Sequence, residues 1–212
     1  MRILTRVVGP LATNVHLIAD ERTGEAIAVD TAIPSLAWIS DELAERGWTL
    51  KLIVSSHGHW DHIGDNAAVA AHTEAEIAVH PADRDRLMDP QPVWAPFDIP
   101  PSVPAVDLAE GGSIRFGEVV LEVLHTPGHT EGSVCLLSTD AGVLLSGDTL
   151  FAGGWGRVDL PGGSPEAMVE SIARLAGLED RYGVLPGHGA STTIGRERAW
   201  MELVASERRL FA

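Results

Sequence analysis

The chain reads as an α/β protein forming one domain over residues 1–212, and three observations lead there. Short apolar runs with the look of strands alternate with stretches of helical periodicity. Four of the runs stop abruptly at histidine or aspartate, as strands do when the loops beyond them build a site. The chain has 212 residues, 45% of them hydrophobic, so it can bury one good core. It has no continuous apolar run long enough to span a bilayer.

Residues 2–8 and 14–19 read as two strands around a Gly9-Pro10 turn. His16, set among apolar neighbours, is expected to be a core or face histidine. A third strand, 26–29, ends at Asp30-Thr31. Pro34-Ser35 opens a helix with Leu36, Ile39 and Leu43 on one face, stopped by Gly47. The strand at 50–55 leads into the densest polar cluster of the chain. A helix over 64–71 and a short strand over 77–79 follow, and His72 and His80 are read as structural. Residues 89–104 hold six prolines with Trp94 and Phe97 among them, an irregular stiffened loop expected to wall or cover a site. A hairpin is expected near 113–116 and 119–125, turning at Gly117, with His125 at its end. Pro127-Gly128 then has the composition of a type II turn, which throws His129 off the strand end. Strands at 134–137 and 143–145 come next, the latter ending in Ser146-Gly147-Asp148-Thr149. Ser164-Pro165 caps a helix whose buried stripe is Met168, Ile172 and Leu175. The strand at 183–185 ends in a second Pro-Gly-His turn, Pro186-Gly187-His188. A closing helix over 194–211 is expected to turn Trp200, Leu203 and Val204 inward.

Composition narrows the function. A formal charge of −15 disfavours nucleic acid and anionic membrane surfaces as partners. The N-terminus, Met1-Arg2-Ile3-Leu4-Thr5-Arg6, is charged too early and too often for a secretory signal, so a cytoplasmic location is expected. The single cysteine, Cys135, lies in an apolar run and reads as a small buried hydrophobe. The glycine-rich stretch 151–157 lacks a following Gly-Lys-Ser/Thr, so it is no nucleotide phosphate loop.

The chemistry concentrates in His57-Gly58-His59-Trp60-Asp61-His62. Imidazole nitrogens and carboxylate oxygens are ordinary ligands for zinc-like dications. His57 and His59 can point to one side of an extended or turning segment. Asp61 and His62 are adjacent and reach one ion only if the chain turns. If the four strands share one sheet with the same edge exposed, seven ligands converge. His57, His59 and His129 give one metal three nitrogens. Asp61, His62 and His188 give a second metal two nitrogens and an oxygen, and Asp148 can bridge. Each ion then lacks a ligand that a shared water supplies, and two such ions generate a nucleophile and clamp a developing oxyanion.

The ordered set His57-x-His59-x-Asp61-His62, His129, Asp148 and His188 resembles the metallo-β-lactamase superfamily. The segments Thr126–Thr130, Ser146–Thr149, Gly156–Asp159 and Leu185–Gly189 are similar to its short glyoxalase II-like hydrolases. The resemblance implies a four-layer αββα sandwich, the ligand division just given, and two divalent ions, with zinc expected and iron or manganese acceptable. It implies hydrolysis of a small thioester, an S-acyl low-molecular-weight thiol, with Asp61 orienting the water as well as binding metal. Full-length glyoxalase II proteins continue into a helical domain with basic contacts to glutathione. Here 24 residues follow His188 and the only lysine, Lys51, lies in a strand, so the thiol carrier and the acyl group stay open. Arg157, Trp94 and Phe97 are the candidate substrate contacts. The alternatives are a persulfide dioxygenase with one iron on His57, His129 and Asp148, and a small-ester or lactone hydrolase of the same fold. Oligomeric state is not legible.

Overall fold

A computed structural model describes residues 1–90 and 95–211. Its centre is a pair of six-stranded sheets. The first contains β1 (Arg2–Val8), β2 (Thr13–Asp20), β3 (Glu25–Val29), β4 (Thr49–Val54), β5 (Glu76–Val79) and β6 (Val106–Asp107), in sequence order across the sheet. Pairing is antiparallel from β1 to β3 and parallel from β3 to β6. The second contains β7 (Ser113–Phe116), β8 (Val119–His125), β9 (Val134–Ser138), β10 (Val143–Gly147), β11 (Gly183–Pro186) and β12 (Thr192–Thr193), also laid down in order. Its pairs are antiparallel except β10 with β11. The β1–β2 hairpin around Gly9-Pro10 and the tight β7–β8 turn at Gly117 match the turn residues read from sequence.

Four layers follow from which residues are apolar on which face. Between the sheets, Ile18, Ile27, Val29 and Val54 pack on Leu121, Val123, Leu136 and Leu145. Outside the first sheet, α1 (Leu36–Arg46) and α3 (Asn66–Thr73) flank a core built on Leu17, Ala28, Ile53 and Val79. Outside the second, α5 (Pro165–Leu175) and α6 (Ile194–Glu207) bury Met168, Ile172, Met201 and Val204 against Cys135, Leu144 and Val184. Truncating a fully buried member such as Ile27 or Leu121 to alanine costs about 2–5 kcal/mol. The αββα sandwich expected from the resemblance is the architecture observed, and Cys135 is a buried hydrophobe as read.

The helix ends are specified locally or from a distance. Ser164 Oγ accepts from the Ala167 N–H at the start of α5, and Thr193 Oγ1 accepts from Arg196 N–H at the start of α6. Ser35 makes no such contact, and the α1 terminus is instead capped by Asp65 Oδ2, which accepts from Ser35 and Leu36 N–H. The helix expected over 64–71 begins at Asn66 and runs to Thr73. It is preceded by the four-residue α2 (Trp60–Ile63), which is the turn that Asp61 and His62 require.

The closing helix departs from expectation. It stops at Glu207, and Leu203 is 47% exposed, not inward. The buried residues are Ile194, Glu197, Met201 and Val204, at steps of three and four. Leu203 lies two residues from Met201, about 200° around the helix, and so faces out. Four short pieces have no counterpart in the sequence-based expectation: a 3-10 turn at Pro81–Asp83, α4 (Arg84–Met88) behind it, and the two-residue strands β6 and β12. No helix of the described residues is long and apolar enough to cross a membrane.

Candidate metal centre

The seven sequence-derived ligands meet at one end of the sandwich, but not from one sheet. His57, His59, Asp61 and His62 follow β4 of the first sheet. His129 lies between β8 and β9, Asp148 follows β10 and His188 follows β11, all of the second. The single shared sheet edge expected from sequence is therefore two edges meeting across the sandwich. Two sheets packed face to face about 10 Å apart leave the loops at one end of the sandwich within side-chain reach of one another.

The donors fall into the expected sets. His57, His59 and His129 present nitrogens within 4.8 Å of one another, as do the donor atoms of Asp61, His62 and His188. A third group, His57, His62 and Asp148, links the two. His59 Nδ1 is 2.8 Å from His129 Nε2, and His62 Nε2 is 3.1 Å from His188 Nε2. Asp148 Oδ2 lies 3.4 Å from His129 Nε2 and 3.5 Å from His188 Nε2, between the sets. Asp61 Oδ2 is 3.2 Å from His188 Nε2.

Outer contacts decide which nitrogen points inward. His129 Nδ1 donates to the Arg157 carbonyl at 2.7 Å, and His188 Nδ1 donates to the Leu11 carbonyl at 3.0 Å. His62 Nδ1 donates to Asp30 Oδ2 at 3.0 Å. Ser56 Oγ donates to Asp30 Oδ2 at 2.8 Å, leaving its lone pairs to accept from His57 Nδ1 at 3.0 Å. Each of these four rings thus commits Nδ1 to an outer partner and turns Nε2 to the centre, the arrangement that metal-binding histidines need. Glycine at 187 belongs to the same packing, because a Cβ there would strike Asp148 Oδ1 and the His62 ring. At Gly128 a Cβ would lie 2.5 Å from Met168 Cα, and φ is 140°, so only glycine lets the His129 turn pass over α5.

Two buried atoms at the centre lack partners: His57 Nε2 and Asp148 Oδ1. Buried polar atoms are rarely left so, and an inward lone pair beside an inward carboxylate oxygen fits a dication. Electrostatics agree. Burial, and after it the neighbouring His62, His129 and His59 rings, hold His57 well below the ordinary imidazole range. Burial and His129 bring His59 down to about 3. Burial opposes ionisation of Asp148, but the His62, His129 and His188 rings outweigh it and keep the carboxyl well below the usual range. Burial likewise works against a charged His62, yet Asp148, Asp61 and Asp30 raise it. Neutral imidazole and ionised carboxylate are the ligand states: His57, His59 and Asp148 rest in them, while His62 and His188, both raised against burial by the Asp61 and Asp148 carboxylates, would give up a proton to a dication.

A model of the metallo-beta-lactamase superfamily matches residues 8–188. The chain belongs to that superfamily. Among curated superfamily relatives, a hydroxyacylglutathione hydrolase of Thermosynechococcus vestitus is 36% identical over 174 residues, covering 82% of this chain and 62% of that protein. A probable metallo-hydrolase of Bacillus subtilis is 34% identical, covering 90% and 92%. Of solved structures, the BLEG-1 B3 metallo-beta-lactamase superposes with TM-score 0.85 at 31% identity, covering 96% and 99%. ETHE1 of Myxococcus xanthus gives 0.82 at 27% identity, covering 97% and 85%. TTHA1623 in a di-iron-bound form gives 0.80 at 31%, covering 92% and 96%.

The superfamily centre opens into a cleft of about 830 Å³. His59, Asp61, His129, Asp148 and His188 form its floor, and Leu11, Trp60, Phe151, Leu160 and Pro161 give it apolar walls. Arg157 lines the cleft and pairs with Asp159 through two contacts of 2.8 Å. Phe97 packs edge-on at 5.9 Å against Trp60, and of the two it is Trp60 that lines the cleft. Trp94 lies outside the described residues, while Asp89 and Pro90 at the start of its loop do line the cleft. His16, read as structural, is buried and contacts Thr5 Oγ1 and the Pro186 carbonyl. His125 stacks on His80 with centroids 4.0 Å apart, away from the centre.

Three residues that support the superfamily site were not singled out from sequence. Asp30 holds His62 and the Ser56 N–H. Asn14 Nδ2 donates to the Pro186 and Gly189 carbonyls, clasping the turn that carries His188. Asp83 is buried between two ligand loops. Asp30 had a legible signal, a polar residue at the end of an apolar strand; the other two had none.

Proposed function

We propose that this protein hydrolyses small thioesters, S-acyl low-molecular-weight thiols, at a centre of two divalent ions, zinc in the first instance. It is a metal-dependent hydrolase of its superfamily; the substrate class and metal count are the finer reading. The observation that carries it is the position of Asp148 between two complete three-donor sets, since one ion would leave Asp61, His62 and His188 without a purpose. The likeness to a hydroxyacylglutathione hydrolase and to a di-iron structure supports it.

Bound dications would lie on His57, His59 and His129 and on Asp61, His62 and His188, where they supply Lewis acidity to a carbonyl and make water nucleophilic at neutral pH. The chain does the rest. Asp61, at the cleft floor with Oδ2 beside His188, orients the attacking water and accepts its proton. The water oxygen adds to the thioester carbon, the resulting oxyanion collapses with cleavage of the carbon–sulfur bond, and the thiolate departs toward the open cleft, leaving the carboxylic acid. Leu11, Trp60, Phe151 and Leu160 take the apolar part of the acyl thiol and keep bulk water away. Arg157, at the rim, holds a substrate carboxylate. The same proposal includes a cytoplasmic setting, and the formal charge of −15 supports the absence of a nucleic-acid or anionic-membrane partner.

The second reading, a persulfide dioxygenase with one iron on His57, His129 and Asp148, uses a subset of these donors. A panel of neutral and anionic S-acyl thiols, simple esters, lactones and a persulfide, assayed with zinc-, iron- and manganese-loaded protein and an oxygen electrode, separates the readings. Thioester cleavage with two ions per chain is the expected result. Oxygen uptake on the persulfide with one iron per chain, or hydrolysis confined to lactones, would overturn it.

A further inference from the structure

Asp83 ends the 3-10 turn after β5, has no exposed surface, and belongs to none of the donor sets. Its Oδ2 accepts from the Gly58 N–H and from Thr130 Oγ1, each at 2.7 Å. Its Oδ1 accepts from the Gly132 N–H at 3.1 Å and faces Arg86 Nε at 3.3 Å. Gly58 sits between His57 and His59 in the loop after β4. Thr130 and Gly132 follow His129 in the loop between β8 and β9. One buried carboxylate therefore ties together two ligand loops that belong to different sheets.

Both loops are built around it. A Cβ on Gly132 would lie 2.6 Å from the Asp83 carboxyl carbon, and a Cβ on Gly58 would lie 2.6 Å from Arg86 Cβ. The loops bear His57, His59 and His129, and His59 Nδ1 and His129 Nε2 face one another at 2.8 Å across the gap that Asp83 closes. Asp61, His62 and His188 are supported by other groups: His62 by Asp30, the His188 turn by Asn14.

We propose that Asp83 is a positioning residue for the three-nitrogen half of the centre, setting the separation of His57 and His59 from His129. This rests on the reading of the site as a metal centre. A buried carboxylate accepting several N–H and O–H donors acts as a rigid cross-brace, because losing it strands each donor without a partner. Its effect is confined to the site whose donors come from both braced loops. Outer partners of this kind typically alter metal affinity 10–100-fold.

The test uses the full chain as wild type, Asp83→Asn and Thr130→Val. Zinc is titrated against a competing chelator while the histidine ring resonances assign each affinity to its donor set, and the metal-free proteins are melted alongside. Asparagine keeps the shape but turns donors toward some of the donors now satisfied. Thr130→Val removes one arm of the brace. The expected result is a fall of about 10–100-fold in zinc affinity at His57, His59 and His129, smaller for Thr130→Val, with the other set changed less than about threefold. Equal falls at both sets, or no fall at either while the metal-free melting temperature drops, would make Asp83 merely structural and overturn the proposal. If Asp83→Asn does not fold, Thr130→Val decides by the same comparison. Wild-type protein that binds no zinc at the three nitrogens sinks the metal-centre reading and this proposal with it. Normal wild-type binding that neither variant disturbs sinks this proposal alone.

Discussion

Asp30 Oδ2 lies 3.0 Å from His62 Nδ1, on the opposite side of the ring from the Nε2 that faces Asp148. The carboxylate holds the ring tautomer and adds negative charge behind a metal donor. It is 1% exposed and has a φ of 59°, a left-handed conformation that asparagine also tolerates. Asp30→Asn should therefore fold, yet present an amide N–H to His62 Nδ1 and favour the tautomer with its proton on Nε2. Zinc affinity of the Asp61, His62 and His188 set should fall about 10–100-fold by chelator competition. An unchanged affinity would mean that Asp30 serves only the Ser56 turn.

Asp148→Ala should cost far more activity than stability. Asp148 makes its contacts inside the donor cluster, with His62 Nε2 3.5 Å from its Oδ1, so its loss leaves the apolar layers that hold the metal-free fold intact. As a direct donor between the two sets, it should lower turnover by more than the roughly 100-fold that outer partners reach. Melting temperature of the metal-free variant should stay within a few degrees of wild type, about 1 kcal/mol for a chain of this size. Parallel losses in melting temperature and turnover would return Asp148 to a structural role.

Arg157 has two duties in this structure, and kinetics can part them. Its carbonyl accepts from His129 Nδ1, which any residue at 157 preserves. Its side chain lines the cleft while paired to Asp159. A substrate clamp predicts that Arg157→Lys raises KM for anionic thioesters about tenfold and spares neutral ones, since lysine lacks the planar donor fork. Equal losses on both substrates, copied by Asp159→Asn, would assign the side chain to holding its loop.

Glu197 offers a pH-dependent prediction away from the metals. Its side chain accepts from Thr192 Oγ1, Trp200 Nε1 and the Gly153 N–H. Burial opposes its charge, but these three donors outweigh it and lower the carboxyl below the ordinary 4.5. A depressed folded value means that the contribution is complete above the unfolded glutamate range and fades as pH falls through the folded one. Glutamine can accept from Gly153 and Trp200 and donate to Thr192, so Glu197→Gln removes charge alone. Wild type should exceed the variant by about 1 kcal/mol at pH 7 in denaturant unfolding, with the gap closing below pH 4.5. A gap independent of pH would contradict this account.

The sequence by itself determined the order of the longer elements, the turns at Gly9-Pro10 and Gly117, and the candidate donors. His57, His59, Asp61, His62, His129, Asp148 and His188 were legible because metal ligation depends on side-chain chemistry, and strand ends are marked by where apolar runs stop. The Pro-Gly-His turns were legible for the same local reason. Tertiary structure decided what depends on partners distant in the chain. It placed the donors on two sheets instead of one, since sheet membership follows from which apolar faces pack together. It packed Phe97 against Trp60 and turned Leu203 outward, because a residue's exposure is fixed by the element across from it. It chose Asp30, Asn14 and Asp83 as supports, since a carboxylate or amide finds its buried donors only after the strands are ordered: Asp83 meets Gly132 across 49 residues, and Asn14 meets Gly189 across 175.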